Sequence, residues 1–218
     1  MPLGTIQVQF EQQLTESIRV YEELATTRTF SGAADFKHED ICQLEGVLSH
    51  VWQAWCRFCR SVAIESCLGT VDLSGRQYIG VIGANSDNDV SGASIRIRKH
   101  RYPIWGYPNN LLRNEPTWGD VDVLIDIIQG TAPANSGSLL GMCTMAGPSA
   151  NILQTIRNAA AHHNHQTMSE VHRIGSQFST FPLTHPCQSL FWIDLNSKRY
   201  LFPEAVDSLS TASMFAVL

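Results

Sequence analysis

One segment decides the fold class of this chain: ICQLEGVLSHVWQAWCRFCRSVA, residues 41–63. Its apolar side chains recur every three or four residues, which is the spacing of one face of an α-helix. The face is broad and continuous, and it contains Leu44, Val47, Leu48, Val51, Trp52, Trp55, Phe58, Cys59, Val62 and Ala63. The pattern predicts a helix of about seven turns that begins within residues 35–40, ends near Gly69 and lies at the centre of a helical bundle.

Further segments predict helices on both sides of this element. They are residues 5–28, 119–129, 136–145, 149 to about 164, 167–177 and 204–215. Gly147-Pro148-Ser149 predicts a break before the helix that starts at residue 149. Asn164 is expected to end that helix in the left-handed conformation, and Thr167 with Glu170 to form the capping box of the next one.

Sheet is expected in two places only. Residues 70–118 hold many of the glycines together with two strand-like runs, 77–82 and 94–98, and we interpret this segment as an insertion. Residues 190–195 and 199–202 flank a turn and predict a C-terminal β-hairpin. The sequence therefore predicts a mainly α fold in which a single domain, residues 1–218, carries a small β-containing insertion at about 70–118.

The composition narrows the class of protein. The formal net charge is −5 over 218 residues, so nucleic-acid binding would require a local basic patch. The six cysteines show no paired zinc-ribbon spacing and are expected to be buried thiols. No signal-peptide pattern and no apolar run of about 18 residues is evident, so we expect a cytoplasmic protein that does not span a membrane.

The stretch TIRNAAAHHNHQT, residues 155–167, concentrates chemically versatile side chains late in the chain. Asn158 and His162 are four residues apart and share a helix face, and the long stem of Arg157 can swing toward it. The alanines between them leave space for an approaching partner. His162 falls in the last helical turn, where the negative end of the helix favours a protonated imidazole.

An arginine and a histidine together can cleave a phosphodiester in RNA. The guanidinium binds the phosphate and stabilises the charge of the transition state, and the imidazole transfers a proton. The 2′-hydroxyl of RNA is an internal nucleophile, so no metal or other cofactor is required. One helix supplies one residue of each kind, and a two-fold dimer would supply a second histidine.

The hexapeptide Arg157-Asn158-Ala159-Ala160-Ala161-His162 resembles the R-x4–6-H signature of HEPN-domain proteins, including the polar residue after the arginine. The resemblance implies a helical bundle that dimerises to form a metal-independent endoribonuclease. It implies that Arg157 binds the scissile phosphate, that His162 is the general acid or base and that Asn158 orients one of them. It also implies a toxin or antiviral effector that a regulatory protein partner keeps in check. In one toxin branch of the family, a tyrosine two residues after the histidine is modified by a paired antitoxin. This chain has Asn164 at that position, which argues against control by tyrosine modification.

Several alternatives stand beside this interpretation. His163 also satisfies the permitted spacing and could replace His162 as the catalytic histidine. The motif could pack an interface in a non-catalytic HEPN-like RNA-binding or scaffold module. Imidazoles could instead bind a metal ion, although no cysteine or carboxylate completes a familiar ligand spacing; the cluster is His162, His163, His165 and His172.

Two other segments carry charged residues of interest. Residues 94–107 interleave basic and aromatic side chains, which suits contacts to phosphates and unstacked bases, or else a solvated strand edge. The RNA-binding candidates there are Arg96, Arg98, Lys99, Arg101 and Trp105. Asp120, Asp122 and Asp126 form an acidic run, which we interpret as a helix N-terminus because acidic residues stabilise that end of a helix.

Overall fold

The computed structural model describes residues 1–27, 29–100, 102–106 and 112–218. The described chain is mainly helical, as the sequence predicts. Its α-helices are α1 Leu3–Thr27, α2 His38–Leu68, α3 Asp87–His100, α4 Val121–Thr131, α5 Ser136–Ala161, α6 His165–Ile174 and α7 Leu201–Val217. Short 3-10 turns cover Ala33–Asp35, Leu112–Asn114, Gly175–Gln177 and Pro186–Phe191. None of the described helices combines the length and apolar character that crossing a membrane requires.

The described sheets are small and antiparallel. Strands β1 Thr70–Val71 and β2 Gln77–Tyr78 pair with Thr70 opposite Tyr78. Strands β3 Phe178–Ser179 and β4 Ile193–Asp194 pair with Phe178 opposite Asp194. The predicted strand 77–82 is therefore right only for its first two residues.

The predicted strand 94–98 is wrong, because these residues lie inside α3. The alternation in SIRIR imitates a strand, but the buried residues Val90, Ala93, Ser94 and Ile97 follow helical spacing over a longer window. The hydroxyl of Ser86 accepts a hydrogen bond from the backbone N–H of Asp89 at 3.3 Å and so caps the helix. The longer helical period outweighs the short alternation.

The predicted break at residues 147–149 is also wrong, because α5 continues through Pro148. Proline removes one helical hydrogen bond but does not forbid a helix when burial compensates for that loss. The buried residues Met142, Cys143, Ala146, Ala150 and Leu153 form a helical stripe on both sides of the proline. Burial of this stripe explains why the helix is not interrupted.

Asn164 begins α6 instead of ending α5 in the left-handed conformation. Its φ of −149° is extended, and its Oδ1 accepts hydrogen bonds from the N–H groups of Gln166 at 3.0 Å and Thr167 at 3.1 Å. The capping box therefore joins Asn164 to Thr167, and the predicted box of Thr167 and Glu170 is wrong.

The predicted C-terminal hairpin is reduced to a single bridge between Ile193 and Tyr200. Leu190 and Phe191 belong to the preceding 3-10 turn, and Leu201 already begins α7. The turn itself lies where it was expected, because Asp194 Oδ1 accepts from the N–H groups of Asn196 and Ser197, both at 2.8 Å. The last helix is confirmed.

The chain divides into two compact units. Unit 1 contains Met1–Glu11, Trp55–Gly147 and Ser210–Leu218, and unit 2 contains Gln12–Ala54 and Pro148–Leu209. In unit 1, Phe58 stacks on Phe10 with ring centroids 4.6 Å apart, and the buried Trp55 donates its Nε1–H to the carbonyl of Gly119 at 3.1 Å. A buried indole that keeps its hydrogen bond avoids a large desolvation cost.

Unit 2 has a separate aromatic core. The ring of Tyr21 lies 4.9 Å from the rings of both Phe191 and Phe202, and its hydroxyl donates to the carbonyl of Leu190 at 3.1 Å. Phe30 and Phe36 stack at 4.4 Å and extend this cluster. This core holds the part of α1 that belongs to unit 2 against the Pro186–Phe191 turn and the start of α7.

The cysteines all lie in the described residues, and none forms a disulfide. Cys59, Cys67, Cys143 and Cys187 are buried, as expected, and burial raises the pKa of the Cys67 thiol to about 11. Cys42 is exposed near the start of α2, so the expectation of burial is wrong for that residue.

Candidate functional site

The last turns of α5 carry the arginine of the motif into a pocket within unit 2. Leu153, Ile156 and Ala159 are buried on one side of the helix, while Arg157 and Ala160 are half-buried. The pocket has a volume of about 250 Å³. It is lined by Glu45, Leu48 and Ser49 of α2 and by Arg157, Ala160 and Ala161 of α5. We call this space the Arg157 pocket.

The two alanines keep the Arg157 pocket open. Ala160 and Ala161 follow the arginine by three and four residues, so they lie on the same side of the helix. A longer side chain at either position would extend over the guanidinium. The choice of alanine beside an arginine therefore leaves space for a group that the guanidinium can bind.

Arg157 retains most of its hydrogen-bonding capacity. Its Nη1 donates to Oδ1 of Asn158 at 3.3 Å. In the described part of the chain, no carboxylate lies within 4.0 Å of this guanidinium. A guanidinium carries five N–H donors, so an incoming phosphate could still be bound by two of them.

His162 follows the end of α5 and is exposed. Its N–H donates to the carbonyl of Asn158 at 2.9 Å, and its own carbonyl accepts from Nδ2 of Asn164 and Oγ1 of Thr167, both at 2.8 Å. These three bonds use backbone atoms of His162 only. They fix the backbone between α5 and α6 and leave the imidazole available to a ligand.

His163 has a different environment, because its ring meets His185 edge to face at 5.8 Å between centroids. Nε2 of His185 in turn lies 3.2 Å from Oε1 of Glu45, which lines the Arg157 pocket. The structure thus brings His163, His185 and Glu45 together beside the arginine of the motif.

Burial lowers the pKa of His185, the Glu45 carboxylate opposes that shift, and the proximity of His163 adds to it. The net direction is downward, so His185 is neutral at neutral pH. Since Nδ1 accepts a hydrogen bond from the N–H of Cys187 at 3.3 Å, the single ring proton belongs on Nε2. His185 therefore donates to Glu45.

Glu45 and His185 did not emerge from the sequence. In the sequence, Glu45 directly follows Leu44, which belongs to the broad apolar face of α2, and it resembles an ordinary surface glutamate. The one available signal is His185 itself, which precedes Pro186 and caps the 3-10 turn with its ring nitrogen. Cap residues with a titratable ring are uncommon compared with serine, threonine, aspartate and asparagine.

The basic segment divides into engaged and exposed residues. Arg96 Nη1 donates to the carbonyl of Ile104 at 3.0 Å, so this guanidinium holds the residues after α3 in place. Trp105 packs against Gly83, where an added Cβ would come within 2.7 Å of the indole. Arg98 and Lys99 are exposed, and Arg101 lies outside the described residues.

The acidic run and the histidine cluster were the remaining candidate sites in the sequence. Asp120 is the N-cap of α4 and accepts a hydrogen bond from the N–H of Val123 at 3.3 Å, which confirms its structural role. Within the residues that the structure describes, no three histidine, cysteine or acidic side chains come together in an arrangement that could hold a metal ion.

No family model, curated protein or solved structure matches this chain. The chemistry of the Arg157 pocket and the R-x4–6-H motif at the end of α5 are therefore the basis of the proposed function.

Proposed function

We propose that this protein is a metal-independent endoribonuclease of the HEPN type. The observation that carries the proposal is the Arg157 pocket, in which a guanidinium without a carboxylate partner among the described residues lines an open space. An exposed histidine, His162, follows directly after α5, and its backbone N–H donates to the carbonyl of Asn158. This combination leaves both groups accessible to an RNA strand.

Each residue has a distinct role in the proposed reaction. Arg157 binds the non-bridging oxygens of the scissile phosphate and stabilises the charge that develops as the 2′-hydroxyl attacks phosphorus. Asn158 accepts a hydrogen bond from Arg157 and so restricts the orientation of the guanidinium. His162 donates the proton that the departing 5′-oxygen requires. The products are a 2′,3′-cyclic phosphate and a 5′-hydroxyl.

Dimerisation and biological role are proposed from the resemblance of the motif. A homodimer would bring two copies of the motif to one cleft, as in HEPN-domain proteins. The corresponding role is a toxin or antiviral effector in the cytoplasm, restrained by a regulatory protein partner. Arg98 and Lys99 are exposed and would add sequence-independent contacts to the RNA backbone.

The proposal is tested by incubating the purified protein with single-stranded RNA in the presence of EDTA. We expect cleavage that EDTA does not inhibit, with 2′,3′-cyclic phosphate ends, and loss of cleavage in His162→Ala. His163→Ala serves as the matched variant, because it removes the neighbouring imidazole. If only His163→Ala abolishes cleavage, the role passes to His163.

An inactive wild-type protein that still binds RNA or still dimerises would instead identify the non-catalytic module. Cleavage that EDTA abolishes would point to a metal-dependent nuclease.

A further inference from the structure

The Arg157 pocket contains a carboxylate that the R-x4–6-H motif does not account for. Glu45 projects from α2 into the pocket that Arg157 enters from α5. Its Oε1 is held by His185, and its Oε2 has no hydrogen-bond partner among the described residues. A carboxylate that shares a pocket with an arginine yet forms no ion pair with it is in a position to act on whatever the arginine binds.

We infer that Glu45 is a second catalytic residue of the proposed ribonuclease: the general base that activates the 2′-hydroxyl, with His185 as its positioning residue. The inference rests on the proposed function and adds the proton acceptor that a single R-x4–6-H motif lacks. Carboxylates act as general bases when they lie within reach of the proton that they remove.

The hydrogen bonds of His185 define how it acts. Nδ1 accepts from the backbone N–H of Cys187, and Nε2 therefore carries the proton that faces Glu45. His185 cannot withdraw a proton from Glu45 in this tautomer, so it donates a hydrogen bond that fixes the carboxylate. The 3-10 turn Pro186–Phe191 is fully buried and keeps His185 in place.

The flanking groups of Arg157 suit the two proton transfers. Glu45 and Arg157 line the same pocket, and Nη1 of Arg157 also contacts Asn158, whose carbonyl accepts a hydrogen bond from the N–H of His162. A phosphate bound to Arg157 would thus lie near a candidate base, Glu45, and a candidate acid, His162. In-line displacement at phosphorus requires the attacking and departing oxygens to be on opposite sides.

The reaction balances without a further reactant. Glu45 takes the proton of the 2′-hydroxyl as the 2′-oxygen bonds to phosphorus. The bond from phosphorus to the 5′-oxygen breaks, and the imidazolium of His162 gives its proton to that oxygen. Both proton-transfer groups then belong to one protomer.

The inference is tested by steady-state cleavage of a short single-stranded RNA by Glu45→Gln. The amide has almost the same size but cannot accept the proton, so we expect kcat to fall by about 100-fold. KM should stay constant or decrease, because the negative charge beside the phosphate is removed. Glu39→Gln is the matched control, since Glu39 is an exposed glutamate of α2 outside this pocket, and it should leave both constants unchanged.

His185 provides a second arm. His185→Ala should reduce kcat, whereas His185→Gln should retain more of it, because the glutamine amide can still donate to Glu45. Rescue of Glu45→Ala by added formate would show that a carboxylate is needed for proton transfer and not for folding. Formate rescue would support the catalytic role of Glu45 even if Glu45→Gln were less stable than the wild type.

The outcomes separate the two proposals. A wild-type protein that cleaves no RNA overturns both. A wild-type protein that cleaves RNA, with unchanged kcat in Glu45→Gln and no effect of formate on Glu45→Ala, overturns the role of Glu45 alone and leaves the HEPN-type activity standing.

Discussion

Two regions of this chain present arginines in a setting that suggests RNA, and they use them differently. In the Arg157 pocket, the guanidinium makes one 3.3 Å contact to its neighbour Asn158 and faces open space. In the α3 region, which we define as residues 83–100, 102–106 and 112–118, Arg96 is bound to the carbonyl of Ile104. An arginine is available to a ligand only where the fold has not already used its donors.

Arg157→Ala should produce the largest effect on RNA cleavage, and it tests the difference between the two regions most directly. Loss of the group that stabilises charge in the transition state should lower kcat/KM for RNA cleavage by about 10²–10³-fold, with little change in thermal stability. Cleavage of a labelled RNA and a melting curve measure the two properties. Arg98→Ala is the comparison variant, because it removes an exposed arginine of α3 that would contact only the RNA backbone. It should lower kcat/KM by about a few-fold at most, and a loss as large as that of Arg157→Ala would contradict the distinction.

Glu115→Ala should have the next largest effect, on stability instead of activity. The Glu115 carboxylate accepts two hydrogen bonds from Arg60, at 2.8 Å and 3.0 Å, and one from Ser91 at 2.6 Å. Burial alone would raise the pKa of Glu115, but Arg60 and Ser91 outweigh it and the pKa is lowered.

Removing this carboxylate should reduce the free energy of unfolding by about 2–3 kcal/mol, measured by urea denaturation. Cleavage per folded molecule should not change. A variant as stable as the wild type would show that this partly buried pair contributes little to stability.

Arg96→Ala should cost about 1 kcal/mol of stability, because the hydrogen bonds from its Nη1 to the carbonyls of Ile104 and Trp105 are lost. RNA binding at physiological salt should remain close to that of the wild type. The comparison breaks if Arg96→Ala weakens RNA binding as much as the paired change of Arg98 and Lys99 to alanine, because Arg96 would then contact RNA as well.

The smallest effect is the pH dependence that His185 adds. Burial lowers the pKa of His185, so below the ordinary imidazole value of about 6.5 the unfolded chain binds a proton more readily than the folded chain. The stability contributed by His185 is complete above that pH and is lost as the pH falls.

Between about pH 7.5 and 5.5 the loss should stay below about 1 kcal/mol, because the ring is partly exposed to solvent. Melting curves of the wild type and of His185→Gln at each pH measure it. The wild type should lose more stability than the variant, and parallel curves would contradict the assignment of a neutral His185.

The sequence predicted a helix correctly where one apolar spacing extends over a long segment. The stripe from Leu44 to Ala63 predicted α2, and the acidic run after residue 119 predicted the start of α4. The predictions were wrong where a short local pattern opposed the burial of neighbouring side chains. SIRIR alternates over only five residues, and Pro148 argues against a helix that its buried neighbours nevertheless form. Local rules describe small free energies that tertiary packing can exceed.

The sequence alone determined that the chain is mainly helical and that Arg157, Asn158 and His162 lie within about one turn of each other, because both follow from helical periodicity. Only the tertiary structure decided that Arg157 faces an open pocket, that Arg96 is already bound and that Glu45 and His185 stand beside the motif. Those facts depend on which side chains meet across residues far apart in the chain. No local spacing encodes such contacts, since they result from how α2, α5 and the Pro186–Phe191 turn bury their apolar faces.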